Sequence, residues 1–352
     1  IITTKSGSAG ERSVSFSAYT GIQQTPRTID MLEGPEYAAL RNEANINAGQ
    51  APTFTSPSAY LGPEGSTDYQ DLVFERGITQ NYSLAVSGGT EDLTYRISSG
   101  YFEEGGIIDK SSLERLNARV NTEFEVNDLL TVGENLTFER RTRSTISESD
   151  NVRNLLIQTL QVDPTVPARD SAGNFTAQPR TNANNPLAAL DFRNNEYNEN
   201  RLVGNVFAEL SFLPSLRVRS QLGFDLRNGN TYAFTPEYDI SPSFRNVSPS
   251  TTQYSDFQSS LIWDNTLTFD KAFGSHDVEA VGGTTIETNY YRFINATTQG
   301  QPGNDPSLRY LGAGPEVVNI GGSLAESNLL SFFGRLNYNF SDRYLLTAVA
   351  RY

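Results

Sequence analysis

Residues 116–139, LNARVNTEFEVNDLLTVGENLTFE, alternate between apolar and polar side chains with a period of two. The apolar positions are Leu116, Ala118, Val120, Phe124 and Val126 before a turn at Asn127-Asp128, and Leu130, Val132, Leu136 and Phe138 after it. Successive side chains of a strand point to opposite faces, so the pattern predicts two strands with one apolar and one polar face. Such strands occur in soluble sandwiches, where the apolar face packs into a core, and in membrane barrels, where it contacts lipid.

The composition of the 352-residue chain narrows the choice of protein class. The formal net charge of −14 argues against a nucleic-acid interface, which needs a basic surface. No run approaches the roughly 18 consecutive apolar residues of a transmembrane helix. The absence of cysteine excludes a disulfide framework and thiolate metal sites. The 17 Tyr and 20 Phe suit the aromatic girdles of a membrane barrel, and they also suit a carbohydrate-binding surface.

Short and long connections alternate along the chain, apart from one short stretch at residues 103–112. Tight turns at residues 88–92, 127–128, 213–215, 273–276 and 341–343 alternate with long polar segments at residues 22–80, 141–200, 228–257 and 294–327. This alternation places the short turns at one end of an antiparallel sheet and the long loops at the other. It is the layout of an outer-membrane barrel with periplasmic turns and extracellular loops, whereas such long loops are uncommon in compact soluble domains.

The strand count predicts a barrel that this chain does not complete. The pattern gives about eleven strands, from residues 13–21 to a strand that begins at Tyr344. Single-chain bacterial barrels have an even number of strands, and an open sheet of this size would leave two long unpaired edges. Both ends of the chain also fall within alternating runs. We therefore expect part of a longer, all-β, antiparallel transmembrane β-barrel.

Five stretches of the sequence carry a family resemblance. They are IITTKSG at residues 1–7, PEYAALRNEA at 35–44, a stretch from TDYQDLVFERG to YFEEGGI at 67–107, LERLNARVNTEFEVNDLLTVGENL at 113–136, and SFFGRLNYNFSDRYLLTAVARY at 331–352. In this order they resemble the last plug strand, the first loop helix and three barrel segments of the SusC family of TonB-dependent outer-membrane transporters. One departure is Tyr69, where the family commonly has Trp.

The resemblance implies a barrel of about 22 strands, a size that holds a plugged lumen. Residues 1–10 would then be the end of the plug domain and its linker, and residues 11–352 the N-terminal half of the barrel. The resemblance also implies the bacterial outer membrane as the location, with lipid around the barrel. It implies a SusD-like surface lipoprotein as a lid, and the TonB complex as a partner through a segment ahead of residue 1.

The function that the resemblance implies is active import of a nutrient, either an oligosaccharide or a peptide. A passive outer-membrane porin and a surface-binding barrel are the alternatives. The stretch at residues 1–5 favours the transporter, because a porin has no plug strand to contribute. The substrate itself does not follow from the sequence.

The sequence contains no constellation that predicts catalysis, a cofactor or a metal site. The single histidine, His276, lies in a tight turn beside Asp277, where a solvated role is expected. Any Ser-His-Asp triad would have to use this residue, which lies opposite the loops where a substrate would arrive. The acidic stretch at residues 147–154 lacks the spacing and the glycine of a calcium loop. We therefore predict that the protein is not an enzyme.

The alternation assigns residues to the two predicted faces and to the loops. Expected to face lipid are Leu116, Val120, Phe124, Leu210, Phe212, Leu222 and Phe224. Expected to face the lumen are Arg96, Arg119, Asn121, Glu123, Arg217, Arg219, Asp225, Asp264 and Asp270, which mix both signs of charge. Candidate contacts for a ligand or partner are tyrosines in or near the long loops, Tyr197, Tyr232, Tyr238, Tyr254, Tyr290, Tyr291 and Tyr310, since tyrosine both stacks and hydrogen-bonds.

Overall fold

The computed structural model describes residues 7–10, 12–60, 65–146 and 154–352. The strands are β1 (Ser13–Gln23), β2 (Gly77–Gly89), β3 (Leu93–Gly105), β4 (Ser112–Asn127), β5 (Leu130–Ser144), β6 (Asn194–Leu213), β7 (Leu216–Thr235), β8 (Tyr238–Ser241), β9 (Phe244–Asn246), β10 (Ser250–Phe273), β11 (His276–Gln299), β12 (Glu316–Phe340) and β13 (Tyr344–Arg351). The α-helices are α1 (Gly34–Asn47), α2 (Tyr69–Val73), α3 (Leu155–Gln161) and α4 (Pro186–Asp191). The proposed plug strand and the acidic stretch at 147–153 lie outside the described residues.

One large antiparallel sheet dominates the fold. Its eleven strands follow the order β1-β2-β3-β4-β5-β6-β7-β10-β11-β12-β13, and β8 and β9 form a separate hairpin. Each strand of the large sheet therefore pairs with the next one along the chain, through connections that alternate between short turns and long loops. The predicted all-β antiparallel class and the count of eleven strands are confirmed.

The strands extend further toward the long loops than the sequence pattern predicts. β7 continues to Thr235 and β10 begins at Ser250, so most of the loop predicted at residues 228–257 is strand. In the same way, β11 continues to Gln299 and β12 begins at Glu316. These boundaries were wrong because polar residues occupy both faces there, which removes the period-two signal. Strands of 20 to 25 residues exceed the roughly 9–11 needed to cross a bilayer.

The register of the sheet separates an apolar face from a polar face. Directly opposed residues of neighbouring strands share a face. Val120 lies opposite Ile97 on one side and Leu136 on the other. Phe224 lies opposite Leu261. Each predicted lipid-facing residue that has a directly opposed partner in a neighbouring strand therefore lies on the apolar face. Phe212 lies beside a bulge, where no direct partner is defined, and is half exposed.

The apolar face has no protein core against it in the described part of the chain. Leu116, Leu222 and Trp263 are 44%, 42% and 48% exposed. The buried hydrophobic clusters lie instead among the loop segments and their helices. A soluble sandwich would cover this face with a second sheet, so the exposed face favours contact with lipid. Among the described residues, no helix has the length and apolar character needed to cross a membrane.

The first and second long loops, those at residues 22–80 and 141–200, pack into one compact unit, which we call the loop cap. It consists of α2, α3, α4 and residues 162–185. Its core contains Tyr69, Val162, Ala168 and Ala183. A second cluster of Val73, Leu155 and Leu190 lies between the three helices. The helices are short, so this packing rather than helix propensity holds them in place.

Tyr69 connects the two halves of the loop cap. Its hydroxyl donates to the Val166 carbonyl at 3.0 Å and accepts from Gln178 Nε2 at 2.8 Å. Burial raises the pKa of Tyr69 to about 12. An indole N–H donates but cannot accept, so the tyrosine that departs from the family pattern makes one bond that tryptophan would lose.

Candidate functional site: the polar belt and two loop clefts

A group of charged and aromatic side chains lies on the polar face near the long-loop end of the sheet. We call Tyr197, Glu199, Arg227, Tyr254, Asp256 and Tyr291 the polar belt. The register aligns Glu199, Gly229 and Asp256 in one row across β6, β7 and β10. Tyr197 and Tyr254 lie opposite Thr231 on its two sides, two residues closer to the long loops than this row. Residues more than 90 positions apart in the sequence thereby become neighbours on a single wall.

Ion pairs tie the carboxylates of the polar belt to arginines. Glu199 and Asp256 are only 6% and 5% exposed. Arg227 Nη2 lies 2.9 Å from Asp256 Oδ2, and Arg227 Nε lies 4.0 Å from Glu199 Oε2. Arg141 Nη1 approaches Glu199 Oε1 at 3.6 Å. Buried carboxylates require such partners, because an unpaired charge of this burial is strongly unfavourable.

The tyrosines of the polar belt are engaged with their neighbours. The Tyr254 and Tyr291 hydroxyls lie 2.7 Å apart. The Tyr254 ring stacks on Phe293 with centroids 5.5 Å apart. The Tyr197 hydroxyl donates to Glu199 Oε2 at 2.6 Å. These bonds hold the rings as a fixed wall of mixed polarity, which is a suitable surface for a polar ligand with apolar faces.

The other predicted tyrosines lie elsewhere. Tyr232 and Tyr290 lie on the apolar face, opposite Gln253 and Ser259. Tyr290 and Tyr291 therefore point to opposite sides of β11, and only Tyr291 joins the polar belt. The Tyr232 hydroxyl donates to the Arg309 carbonyl at 2.5 Å. Tyr238 lies in the β8–β9 hairpin, and Tyr310 lies half exposed in the loop before β12.

All nine residues assigned to the lumen lie on the polar face of the sheet. Several have partners there. Arg119 Nε donates to Thr137 Oγ1 at 2.9 Å, and Asp264 Oδ1 accepts from Thr285 Oγ1 at 2.6 Å. The Arg219 guanidinium lies 3.7 Å from the centroid of the Phe207 ring. The sequence pattern missed Phe207 on this face because a lone aromatic at a polar position has no periodic signal.

Two clefts open among the loops. The larger has a volume of about 660 Å³ and is lined by residues 28–33, 66–70, 159–162 and 164, with Asp30, Glu33 and Asp68 as its charged residues. The smaller has a volume of about 480 Å³ and lies between the loop cap and the β8–β9 hairpin. Its charged residues are Arg193 and Arg245. Both volumes are in the range of small-molecule sites, and the two clefts differ in the sign of their charge.

Comparison with known proteins shows which proteins this chain is similar to. The chain is 28% identical over 381 residues to the TonB-dependent receptor SusC of Bacteroides thetaiotaomicron, an alignment that covers 100% of the chain and 36% of the relative. It is 25% identical over 357 residues to the TonB-dependent receptor P3 of Formosa agariphila, covering 100% of the chain and 34% of the relative. The chain is homologous to SusC-type TonB-dependent receptors. No protein-family model matches it.

Solved structures with the same fold give a second comparison. A chain of the RagAB peptide importer in its closed-closed state superposes with a TM-score of 0.82 at 20% identity, covering 99% of this chain and 42% of that chain. The open-open state gives the same TM-score. The fold is thus that of part of a TonB-dependent receptor barrel. The chain spans about a third of the length of the curated relatives it matches.

The turn end of the large sheet carries the single histidine. His276 lies on the apolar face, where Nδ1 is 2.7 Å from the Tyr338 hydroxyl and the ring centroid is 4.8 Å from that of Phe340. This end is opposite to the loop clefts. In the described ranges, no group of three or more His, Asp or Glu side chains has the geometry to hold a metal ion.

Gly229 is predicted to be essential for the close packing of the polar belt. A Cβ at this position would lie 2.5 Å from Asp256 Oδ1 and 2.9 Å from the Tyr197 hydroxyl. Gly229→Ala would push both groups away from their ion-pair and hydrogen-bond partners, and we expect a loss of about 1–3 kcal/mol in the free energy of unfolding. Denaturant titration of the folded protein measures this change in the free energy of unfolding.

Gly282→Ala is the matched control, because a Cβ there meets no atom within 4 Å. This strand substitution is expected to be neutral or slightly stabilising. Equal stability of the two variants would show that the polar belt is loosely packed.

Proposed function

We propose that the protein imports a nutrient across the bacterial outer membrane by TonB-dependent active transport, and that the nutrient is an oligosaccharide or a peptide. The observation that carries the proposal is the alignment of the whole chain with about a third of the length of TonB-dependent receptors, on a sheet with an exposed apolar face. The RagAB peptide importer shares the fold, which supports import as the class of activity.

The proposed orientation places lipid against the apolar face and the lumen against the polar face. The short turns would be periplasmic and the loop cap extracellular. Support comes from the collection of all long loops at one end of the sheet, where the loop cap and both clefts lie. The segment at residues 7–10 lies at the other end, where Gly10 N donates to the Gly89 carbonyl at 3.2 Å. A plug that precedes the barrel would therefore join it from the periplasmic side.

The proposed partners are a SusD-like surface lipoprotein over the loops and the TonB complex in the periplasm. The name of the relatives, TonB-dependent receptor, supports the second partner. The family resemblance supports the first. The loop cap offers a folded platform rather than loose loops, which suits repeated docking of a lid.

Energy coupling separates this proposal from a passive porin. The full-length protein would be expressed in cells with and without TonB, and uptake of a tryptic digest of casein and of partially hydrolysed pectin would be followed by mass spectrometry of the cell contents. We expect uptake of at least one mixture to stop when TonB is removed, because a plugged lumen passes nothing until the plug is pulled. Uptake at full rate without TonB would refute active import and support a porin.

A further inference from the structure

The smaller loop cleft differs in charge from the rest of the molecule. The chain carries 41 acidic and 27 basic residues, yet the lining of this cleft contains two arginines and no acidic side chain. Neither Arg193 nor Arg245 forms an ion pair with an acidic residue in the described part of the chain. In a protein with an excess of carboxylates, two arginines without acidic partners in one cleft leave a local positive potential.

Arg193 is partly buried, so its charge without a partner anion is less favourable than a charge at an exposed position. It lies between Phe192, the C-cap residue of α4, and the first residue of β6, so the backbone on both sides is fixed. Burial lowers the pKa of its guanidinium from the ordinary value, and no acid nearby offsets this effect. Arg245 is exposed in β9 on the opposite wall. A carboxylate in the cleft would satisfy the fork of N–H donors that each guanidinium presents.

Gln158 adds a second, independent observation. This residue of α3 lines the cleft and is only 3% exposed. Its Oε1 atom is buried and has no hydrogen-bond partner among the described residues. Buried amide oxygens are almost always bonded, so an orphaned acceptor in a cleft wall points to a ligand that supplies a hydroxyl or an N–H.

Aromatic rings form the remaining wall. Phe192 and Tyr238 stack with centroids 4.2 Å apart and planes within 8° of parallel. Phe244 packs edge-on against Tyr238 with centroids 5.0 Å apart. This cluster is held between α4 and the β8–β9 hairpin, so it forms a rigid apolar surface against which a sugar ring or a side chain can pack.

We propose that the smaller cleft binds the carboxylate-bearing unit of the imported molecule. Arg193 and Arg245 would hold the carboxylate, Gln158 would accept from a neighbouring hydroxyl or amide, and the Phe192–Tyr238 wall would contact an apolar face. The inference rests on the proposed import function, which it narrows to anionic cargo. A uronic acid unit of a glycan and an acidic peptide both present this chemistry. The larger cleft, with Asp30, Glu33 and Asp68, would repel the same group.

Calorimetry on the detergent-solubilised full-length protein tests the inference with two probe pairs. The first is trigalacturonate and its uncharged methyl ester, and the second is the N-acetylated tripeptide Ala-Phe-Glu and the N-acetylated, uncharged Ala-Phe-Gln-amide. We expect one carboxylate probe to bind at least about tenfold more tightly than its uncharged match, as charge-assisted hydrogen bonds require. The pair that shows the difference identifies the source of the carboxylate. Raised salt should weaken only the charged probe.

Variants locate the binding. Arg193→Gln and Arg245→Gln should each weaken the preferred probe by about tenfold, and the exposed Arg245 covers the case in which the Arg193 variant folds poorly. Arg41→Gln removes the same charge from an exposed site on α1 and should leave binding unchanged. Equal affinity for charged and uncharged probes, absence of binding to either pair, or wild-type binding by Arg245→Gln would each overturn the inference. Uptake that still requires TonB in any of these cases would leave the import proposal intact.

Discussion

Leu261→Arg is expected to destabilise the membrane-inserted protein by about 1–4 kcal/mol, because an arginine on the lipid face costs about 2–4 kcal/mol at the bilayer midplane and about 0–1 kcal/mol near the interfaces. Leu261 lies at the centre of β10 on the apolar face, opposite Phe224 and Thr288. Its side chain is 39% exposed, so no protein environment would receive the guanidinium. Equilibrium unfolding of the full-length protein from lipid vesicles, followed by tryptophan fluorescence, measures the change.

Ser260→Arg is the matched control for this substitution. Ser260 is the adjacent residue and therefore lies on the polar face, opposite Asp225 and Asn289. An arginine there has water and a nearby carboxylate, so the change in stability should stay within about 0.5 kcal/mol. A larger loss of stability for Ser260→Arg than for Leu261→Arg would mean that the polar face contacts lipid, and it would refute the proposed orientation.

The central parts of the strands are predictable from the sequence because their cause is local. Each side chain of a strand is on the opposite face from its neighbour, so Leu116 and Arg119 could be assigned without knowing any partner strand. The pairing between strands keeps these assignments consistent, so the nine residues predicted to face the lumen all lie on one face of the sheet. The same reasoning also separates Tyr290 from Tyr291, which were grouped as candidate contacts near the long loops although adjacent residues of a strand lie on opposite faces.

The loop cap and the smaller cleft depend on contacts that no local pattern encodes. Tyr69 bonds to the Val166 carbonyl across 97 positions. Arg193 and Arg245 lie 52 positions apart and meet only because the β8–β9 hairpin projects toward α4. Composition identified these segments as long polar loops, whereas their packing depends on a few buried side chains. Sequence reasoning therefore assigned the sheet and left the packing of the long loops undefined.

Arg180→Met is expected to destabilise the loop cap by about 3–5 kcal/mol, because it leaves a buried carboxylate without its cation. Asp163 is 0% exposed, and its Oδ2 atom accepts from Arg180 Nε at 2.5 Å. Its Oδ1 atom accepts from the backbone N–H and the hydroxyl of Thr165. These two neutral donors remain in the variant, but they cannot neutralise a charge in the interior of the cap.

Hydrogen exchange of the Thr67 amide gives the measurement, because this amide donates to the Pro164 carbonyl and joins the two halves of the loop cap. Arg180→Met should accelerate its exchange by about two to four orders of magnitude, which corresponds to the expected free-energy loss. Arg169→Met is the control, since Arg169 lies in the same loop and contacts Phe175 and the Gly173 carbonyl at the surface. Exchange at the wild-type rate in Arg180→Met would mean that Asp163 is not held by this ion pair. The clefts on either side of the loop cap would then need another source of rigidity.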